Sequence, residues 1–426
     1  MNIRTLAKAL VTVALGSSAA LLAIAGPAAG QAEKAPSPFG ISLSGFVKTD
    51  IFYDTRQTVS VREGHFLLYP KGPSIDPAGA DVNARPSFHI LSVQTRLAGR
   101  ITGPDALGAK TSGYVEAEFF GTSDADINGF RLRHAYLKLN WAKSELLVGQ
   151  FWHPMFIVEC FPDVVSFDTG APFQPFNRSP QVRFTRMFGK VSLTATALAQ
   201  RDFTSTGPEG PSSLYLRNAA LPEFNLKLQI AGKNDPRKTE TVAGIGADVM
   251  KLSPRIVSAA GYATDEAATS VAAMAFFKQK WAKWTWKAEA VWGQNLHHLT
   301  MLGGYAARAV VDEARQIWDY APVDTLSLWT EAQTNGSPWQ AGLFAGYSKN
   351  LGSRQAIAGD SYARGSNIDE LYRLSPRLVY NVGKLRFAGE TELTAAAYGT
   401  PDVFGKVQEA RFVRNVRLLF AAYYFF

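Results

Sequence analysis

Counting back from Phe426, the positions Tyr424, Ala422, Phe420, Leu418 and Val416 are all apolar, while Arg417, Asn415 and Arg411 fall in the opposite phase. A period of two with one apolar face is the mark of a β-strand that shows lipid or a core on one side and something polar on the other. The pattern recurs upstream. Trp284, Trp286, Ala288, Ala290 and Trp292 share a phase, which leaves Thr285, Lys287 and Glu289 on the other face. Leu91, Val93 and Leu97 likewise oppose Gln94, Arg96 and Arg100.

Followed along the chain, this alternation predicts strands at 41–53, 88–101, 113–120, 130–140, 145–152, 180–188, 191–200 and 223–231. It continues at 241–257, 270–281, 284–295, 324–335, 338–350, 368–381, 385–398 and 409–426. That is about sixteen, an even number, as a bacterial barrel with both ends of its chain in the periplasm requires. The connections alternate too. Short ones at 141–144, 189–190, 232–240, 282–283, 336–337 and 382–384 separate long ones at 54–87, 153–179, 201–222, 258–269, 296–323, 351–367 and 399–408. The fold class expected is therefore all-β, a transmembrane antiparallel β-barrel with short periplasmic turns and long extracellular loops. Pro180, Pro254 and Pro376 each interrupt or border a strand, and the missing backbone donor predicts a bulge or a rim at each.

The amino terminus reads differently. Arg4 and Lys8 precede a run of apolar and small residues up to Ala25, followed by small residues at Ala28 and Gly30. This is the layout of a secretory signal peptide over 1–30, cleaved after Gly30, with Ala25 or Ala32 as alternative sites. A short leader over 31–40 then leads into a barrel at 41–426. Past the signal no apolar run reaches about 18 residues, so helical spans are excluded and a closed barrel is the remaining way to cross a bilayer. Export of such a barrel places it in the outer membrane of a Gram-negative bacterium, and the aromatic Phe426 at the chain end suits recognition by the outer-membrane assembly machinery.

Phase assignment puts charge inside. The candidate pore-lining residues are Lys48, Asp50, Arg96, Arg100, Arg131, Arg133, Arg183, Arg255, Arg373, Arg377, Arg386, Arg411 and Arg417. A polar interior implies a water-filled lumen, since sixteen strands enclose a bore too wide for wall side chains to fill. Arginine dominates the set, and the formal charge of +8 falls only to +6 when Arg4 and Lys8 leave with the signal. Guanidinium groups in a narrow aqueous channel favour anions over cations and grip carboxylate or phosphate with two bonds. Pairing with interior glutamates, or with lipopolysaccharide phosphates outside, is the alternative use of the same arginines. The segment 153–179, rich in Phe and Pro, is expected to fold inward as a constriction.

Other chemistry is thin. Cys160 is the single cysteine, so no internal disulfide forms, and it reads as a buried structural thiol. His297 and His298 enter a loop with no Asp, Glu or Cys at ligand spacing, so neither metal nor cofactor is expected. No nucleophile motif stands near a histidine. A solute channel is the reading favoured over a structural or adhesive barrel, and over a lipid hydrolase working at the rim.

Two stretches carry a resemblance. Gly45-Phe46-Val47-Lys48-Thr49-Asp50-Ile51-Phe52-Tyr53-Asp54 resembles the opening strand of the DcaP-like family of trimeric outer-membrane porins. Arg131-Leu132-Arg133-His134-Ala135-Tyr136, followed by Leu146-Leu147-Val148-Gly149-Gln150-Phe151-Trp152, is similar to a later pair of strands in that family. The resemblance implies a sixteen-stranded homotrimer that takes up small anionic organic solutes through a basic eyelet, with lipid and lipopolysaccharide around it and no nucleic-acid partner. Carried over by position, Lys48, Arg96, Arg131 and Arg133 stand near that eyelet. Founding members of the family carry a coiled-coil-like segment ahead of the barrel, for which 31–38 leaves no room, so no periplasmic stalk is expected.

Overall fold

The computed structural model describes residues 39–426, so the expected signal peptide, its cleavage sites and most of the leader lie outside the described residues. Among the described residues no helix is long and apolar enough to cross a membrane. Sixteen antiparallel strands make the wall. They are β1 Gly40–Asp54, β2 in two segments Ser87–Leu91 and Arg96–Thr102, β3 Lys110–Glu118, β4 Arg131–Asn140, β5 Ser144–Trp152 and β6 Arg178–Phe188. Next come β7 Val191–Leu198, β8 Glu223–Asn234, β9 Thr239–Leu252, β10 Ala268–Lys280 and β11 Trp284–Gln294. The last five are β12 Ile317–Thr334, β13 Trp339–Ser353, β14 Ile368–Val382, β15 Leu385–Pro401 and β16 Val407–Phe425. Every strand pairs with its sequence neighbours, and β16 closes the ring on β1 from Phe46 opposite Phe425 to Asp54 opposite Arg417. Closure removes the edges that an open sheet would expose.

The outer face is apolar because alternate residues point there. On β16, Leu418, Phe420 and Tyr424 are exposed while Asn415 and Arg417 are buried. Aromatics gather where the turns lie. Trp281 stacks on Trp284 at 4.0 Å, and Trp339 packs on Tyr380 at 4.6 Å. A closed barrel with an apolar belt and an aromatic girdle is a membrane-spanning structure of the outer-membrane type. Short turns close one end, as between Phe188 and Val191 or Val382 and Leu385, and long loops crown the other.

Three sequence expectations need correction. First, Leu91 and Val93 do not share the outward face of Leu97. The pairing of β2 with β1 steps by one residue between Asp50 opposite Leu91 and Phe46 opposite Arg96. A one-residue step exchanges the two faces of a strand, so Phe88 and Ile90 point out while Val93 is buried inside. Second, Pro376 makes no bulge: the register with β13 runs unbroken through Leu343 opposite Pro376. Proline there faces outward and gives up only a bond to β15, where the pairing skips from Leu374 to Arg377. Third, β9 ends at Leu252, and the stretch to Val257 is loop.

Candidate functional site

The interior is far from empty. The loop after β1, here L1, carries a hairpin of Thr58–Val61 and Phe66–Pro70 that turns inward and buries Phe66, Leu67 and Leu68. The loop after β5, here L3, runs over 153–177 and buries Phe156, Phe167, Phe173 and Phe176. Phe66 meets Phe176 at 5.1 Å, and Phe120 stacks on Phe167 at 4.0 Å. The wall receives this cluster with inward Met274, Phe276, Val291, Trp329 and Phe344 on β10 to β13. The lumen is therefore apolar along one sector, which a uniformly polar inner phase does not anticipate. Gly346 on β13 lets L3 sit close, because any side-chain carbon there would collide with the Phe173 ring.

Around that plug the charges are paired. Arg133 binds Glu116 and Glu118, both at 2.6 Å, and Arg131 bridges Glu118 to Asp202 of the loop after β7, each at 2.9 Å. Arg96 reaches Glu118 at 3.0 Å. Burial pushes the Asp202 carboxyl up, but the Arg178 and Arg131 guanidinium groups outweigh it and hold it below the usual carboxylate range. Lys48 pairs with Asp50 at 3.0 Å, and Asp50 also meets His65 of L1 at 2.7 Å. Burial keeps His65 neutral at physiological pH, so its imidazole acts as a hydrogen-bond donor.

L3 is tied down by the same device. Arg373 of β14 holds Asp168 and the Ala171 carbonyl and reaches Glu392 at 3.3 Å. Lys287 binds Asp163 at 2.6 Å, and the Glu390 carboxylate accepts the amides of Val165 at 2.7 Å and Ser166 at 3.2 Å. Arg377 pairs with Glu331 at 2.8 Å, and Arg417 with Asp54 at 2.7 Å. In a low-dielectric interior each partner holds the other's charge, and little field is left over for a solute.

The thirteen residues singled out from the sequence thus sort by environment. Lys48, Asp50, Arg131, Arg133, Arg373, Arg377 and Arg417 are buried in ion pairs. Arg96 is paired but partly exposed. Arg255 has left the wall for the loop after β9, beside Tyr320 and Tyr362. Arg411 is exposed at the loop end of β16. Arg100, Arg183 and Arg386 face inward with no carboxylate oxygen of the described residues within 4.0 Å. Arg183 donates to the Trp152 carbonyl at 2.7 Å, and Arg386 to Asn381 Oδ1 at 2.8 Å.

A fourth such cation, Lys227, belongs with them. It stands on the inward face of β8, opposite Thr194, with Arg183 one strand beyond. Its signal was present in the outward phase of Leu226, Leu228 and Ile230. His153, Glu223 and His298 form another group that spacing alone conceals, since Glu223 lies 70 and 75 residues from its two partners.

No family model matches the chain, and no curated protein matches it in sequence. Solved structures do match in fold. The outer membrane channel DcaP of Acinetobacter baumannii aligns at TM-score 0.66 and 18% identity, over 94% of this chain and 100% of that one. An anion-selective porin from Comamonas acidovorans aligns at TM-score 0.52 and 11% identity, over 91% and 100%. OmpT of Vibrio cholerae in its trimer form aligns at TM-score 0.52 and 10% identity, over 92% and 100%. The likeness read from a few strands extends over the whole barrel, and the chain has the fold of the outer membrane channel DcaP.

Proposed function

We propose that the barrel is an outer-membrane channel through which small hydrophilic solutes diffuse, that it favours anions, and that it works as a homotrimer. The observation that carries this reading is the inward set Arg100, Arg183, Lys227 and Arg386, four cations that no carboxylate of the described residues contacts within 4.0 Å, although Glu159 of L3 offsets part of the charge of Arg183 and Lys227. Between low-dielectric walls such charges lower the energy of an anion and raise that of a cation. The arginines add a planar fork that fits carboxylate and phosphate, so small organic acids or phosphorylated compounds are the solute class. The fold neighbours described as a channel and as an anion-selective porin agree with that assignment, and the trimer form of OmpT supports the oligomer. L3 serves as the constriction. No catalytic or nucleic-acid role is assigned.

Purified protein in planar bilayers tests the reading. Stepwise conductance with a reversal potential of anion-selective sign under a KCl gradient is expected. Silent bilayers would sink the channel in favour of a structural or adhesive barrel, and a cation-selective sign would sink the charge argument.

A further inference from the structure

His153, Glu223 and His298 come from three separate connections: the start of L3, the first residue of β8, and the turn His297–Leu299 after β11. Nε2 of His153 lies 2.8 Å from Glu223 Oε1, and Nε2 of His298 lies 2.9 Å from the same oxygen. The three donor atoms stand within 4.8 Å of one another, and all three residues are at most 2% exposed. No nitrogen or hydroxyl of the described residues donates to the second oxygen of Glu223, although the Asp248 carboxyl comes within hydrogen-bond reach of Glu223, and Nδ1 of His298 has no partner among them. Asp248 stands against Glu223 on the neighbouring strand, where Asn225 donates to it at 3.1 Å. No Lys or Arg nitrogen of the described residues comes within 4.0 Å of either carboxylate.

Two carboxylates buried side by side without a cation repel each other and lose their hydration, so the arrangement is costly as it stands. A proton relieves half of that cost; a divalent ion relieves all of it and uses the two imidazoles as well. We propose that this cluster binds a divalent transition cation of the zinc type, with His153 Nε2, His298 Nε2 and Glu223 as ligands and Asp248 adding negative charge beside them. Two nitrogens and a carboxylate suit such an ion, whose bonds of about 2.0–2.2 Å require ligand atoms roughly 3.3 Å apart. Glu223 Oε1 already lies 2.8 and 2.9 Å from the two imidazole nitrogens, and loading spreads it from them while the two histidines, within 4.8 Å, adjust toward each other. Loading moves the His153 ring proton to Nδ1 and gives up the 3.2 Å bond that Nδ1 accepts from the Met155 amide. Magnesium does not suit the set, because it demands six oxygens in octahedral array. A bound ion would staple L3, the start of β8 and the loop after β11 together, a role that holds whether or not the barrel conducts.

The test uses the full-length protein, stripped with a chelator and titrated with Zn²⁺ by calorimetry, with Mg²⁺ alongside. One Zn²⁺ per chain is expected, together with a higher unfolding midpoint and no saturable Mg²⁺ binding. His298→Gln and Glu223→Gln should each weaken Zn²⁺ by about tenfold or more, whereas His89→Gln should leave it unchanged. Absence of saturable Zn²⁺ binding overturns the proposal, as does binding that survives both substitutions or is lost with His89. Should Glu223→Gln fail to fold, His298→Gln decides the matter with Co²⁺. The native protein should show the visible band of a tetrahedral site and the variant should not; an equal band in both, or none in either, refutes the site.

Discussion

Arg373 spends its whole guanidinium on one task. Nε donates to Thr394 Oγ1 at 3.0 Å, Nη1 to Asp168 and to the Ala171 carbonyl, and Nη2 to the Leu68 carbonyl at 2.8 Å. It thereby joins β14 and β15 to both inward loops. Arg373→Met keeps most of the side chain's length but leaves Asp168 buried without its cation and Glu392 with only Arg417 at 3.8 Å, a loss of about 3–5 kcal/mol for a broken buried pair. A fall in the urea midpoint for loss of heat-modifiable gel mobility measures it, and an unchanged midpoint would mean that L3 is held elsewhere. Cys160 reports on the same packing. Its Sγ lies 3.3 Å from the Phe277 carbonyl under L3, and burial, aided by the neighbouring Glu289, pushes the thiol up to about 12. At pH 8 the thiolate fraction is then on the order of 10⁻⁴, so a thiol reagent should react with the unfolded chain and not with the folded one. Rapid labelling of the native barrel would show that L3 does not seal the thiol.

At the scale of the element, strands were legible because lipid enforces the period of two so strictly. All sixteen follow from alternation and turn signals, with bounds within a few residues except that β12 begins at Ile317, seven residues ahead of the expected start, and β9 ends five early at Leu252; the parity of long and short connections keeps the count in order. What escaped was register. The one-residue step inside β2 leaves no trace in composition, and it reversed the faces of Leu91 and Val93. Loop trajectories escaped for a different reason: L3 is greasy enough to predict burial, but where it lands depends on the gap above Gly346. Gly346→Leu should evict Phe173 and unseat L3 while leaving the ladder between β12 and β13 in place. Single-channel conductance is expected to rise and become noisier, and wild-type conductance would show that L3 does not constrict the lumen. On the outer face, Leu418→Arg puts a charge into the lipid belt at a cost of about 2–4 kcal/mol near mid-bilayer, readable as a lower yield on refolding into vesicles.

For the molecule as a whole, inward phase proved a poor guide to what a solute would feel. Alternation puts Arg133, Arg377 and Arg417 on the inward phase, where they lie buried in ion pairs, but it holds no information on their partners. Glu118 lies 15 residues from Arg133, Glu331 lies 46 from Arg377, and Asp54 lies 363 from Arg417. Only closure of the ring brings the last pair together. With such pairs neutralising each other, the field in the lumen comes from fewer and differently placed charges. Replacing the buried arginines would damage folding and say little about permeation.

Arg183 and Lys227 make the sharper test, because both face the lumen at mid-barrel across the intervening β7, and neither holds a loop through an ion pair. Arg183→Gln with Lys227→Gln removes two unpaired positive charges per chain and keeps polar groups of similar reach in their place. The double variant should fold with wild-type heat-modifiability, and its reversal potential should move toward zero. The wild-type preference itself should fade as salt rises, since the screening length falls from about 10 Å at 0.1 M to about 3 Å at 1 M. Salt dependence and mutational sensitivity must go together if these two side chains set the field. Selectivity that persists in the double variant, or that ignores ionic strength, would move the source of the field away from the lumen wall to the exposed charges of the outer loops.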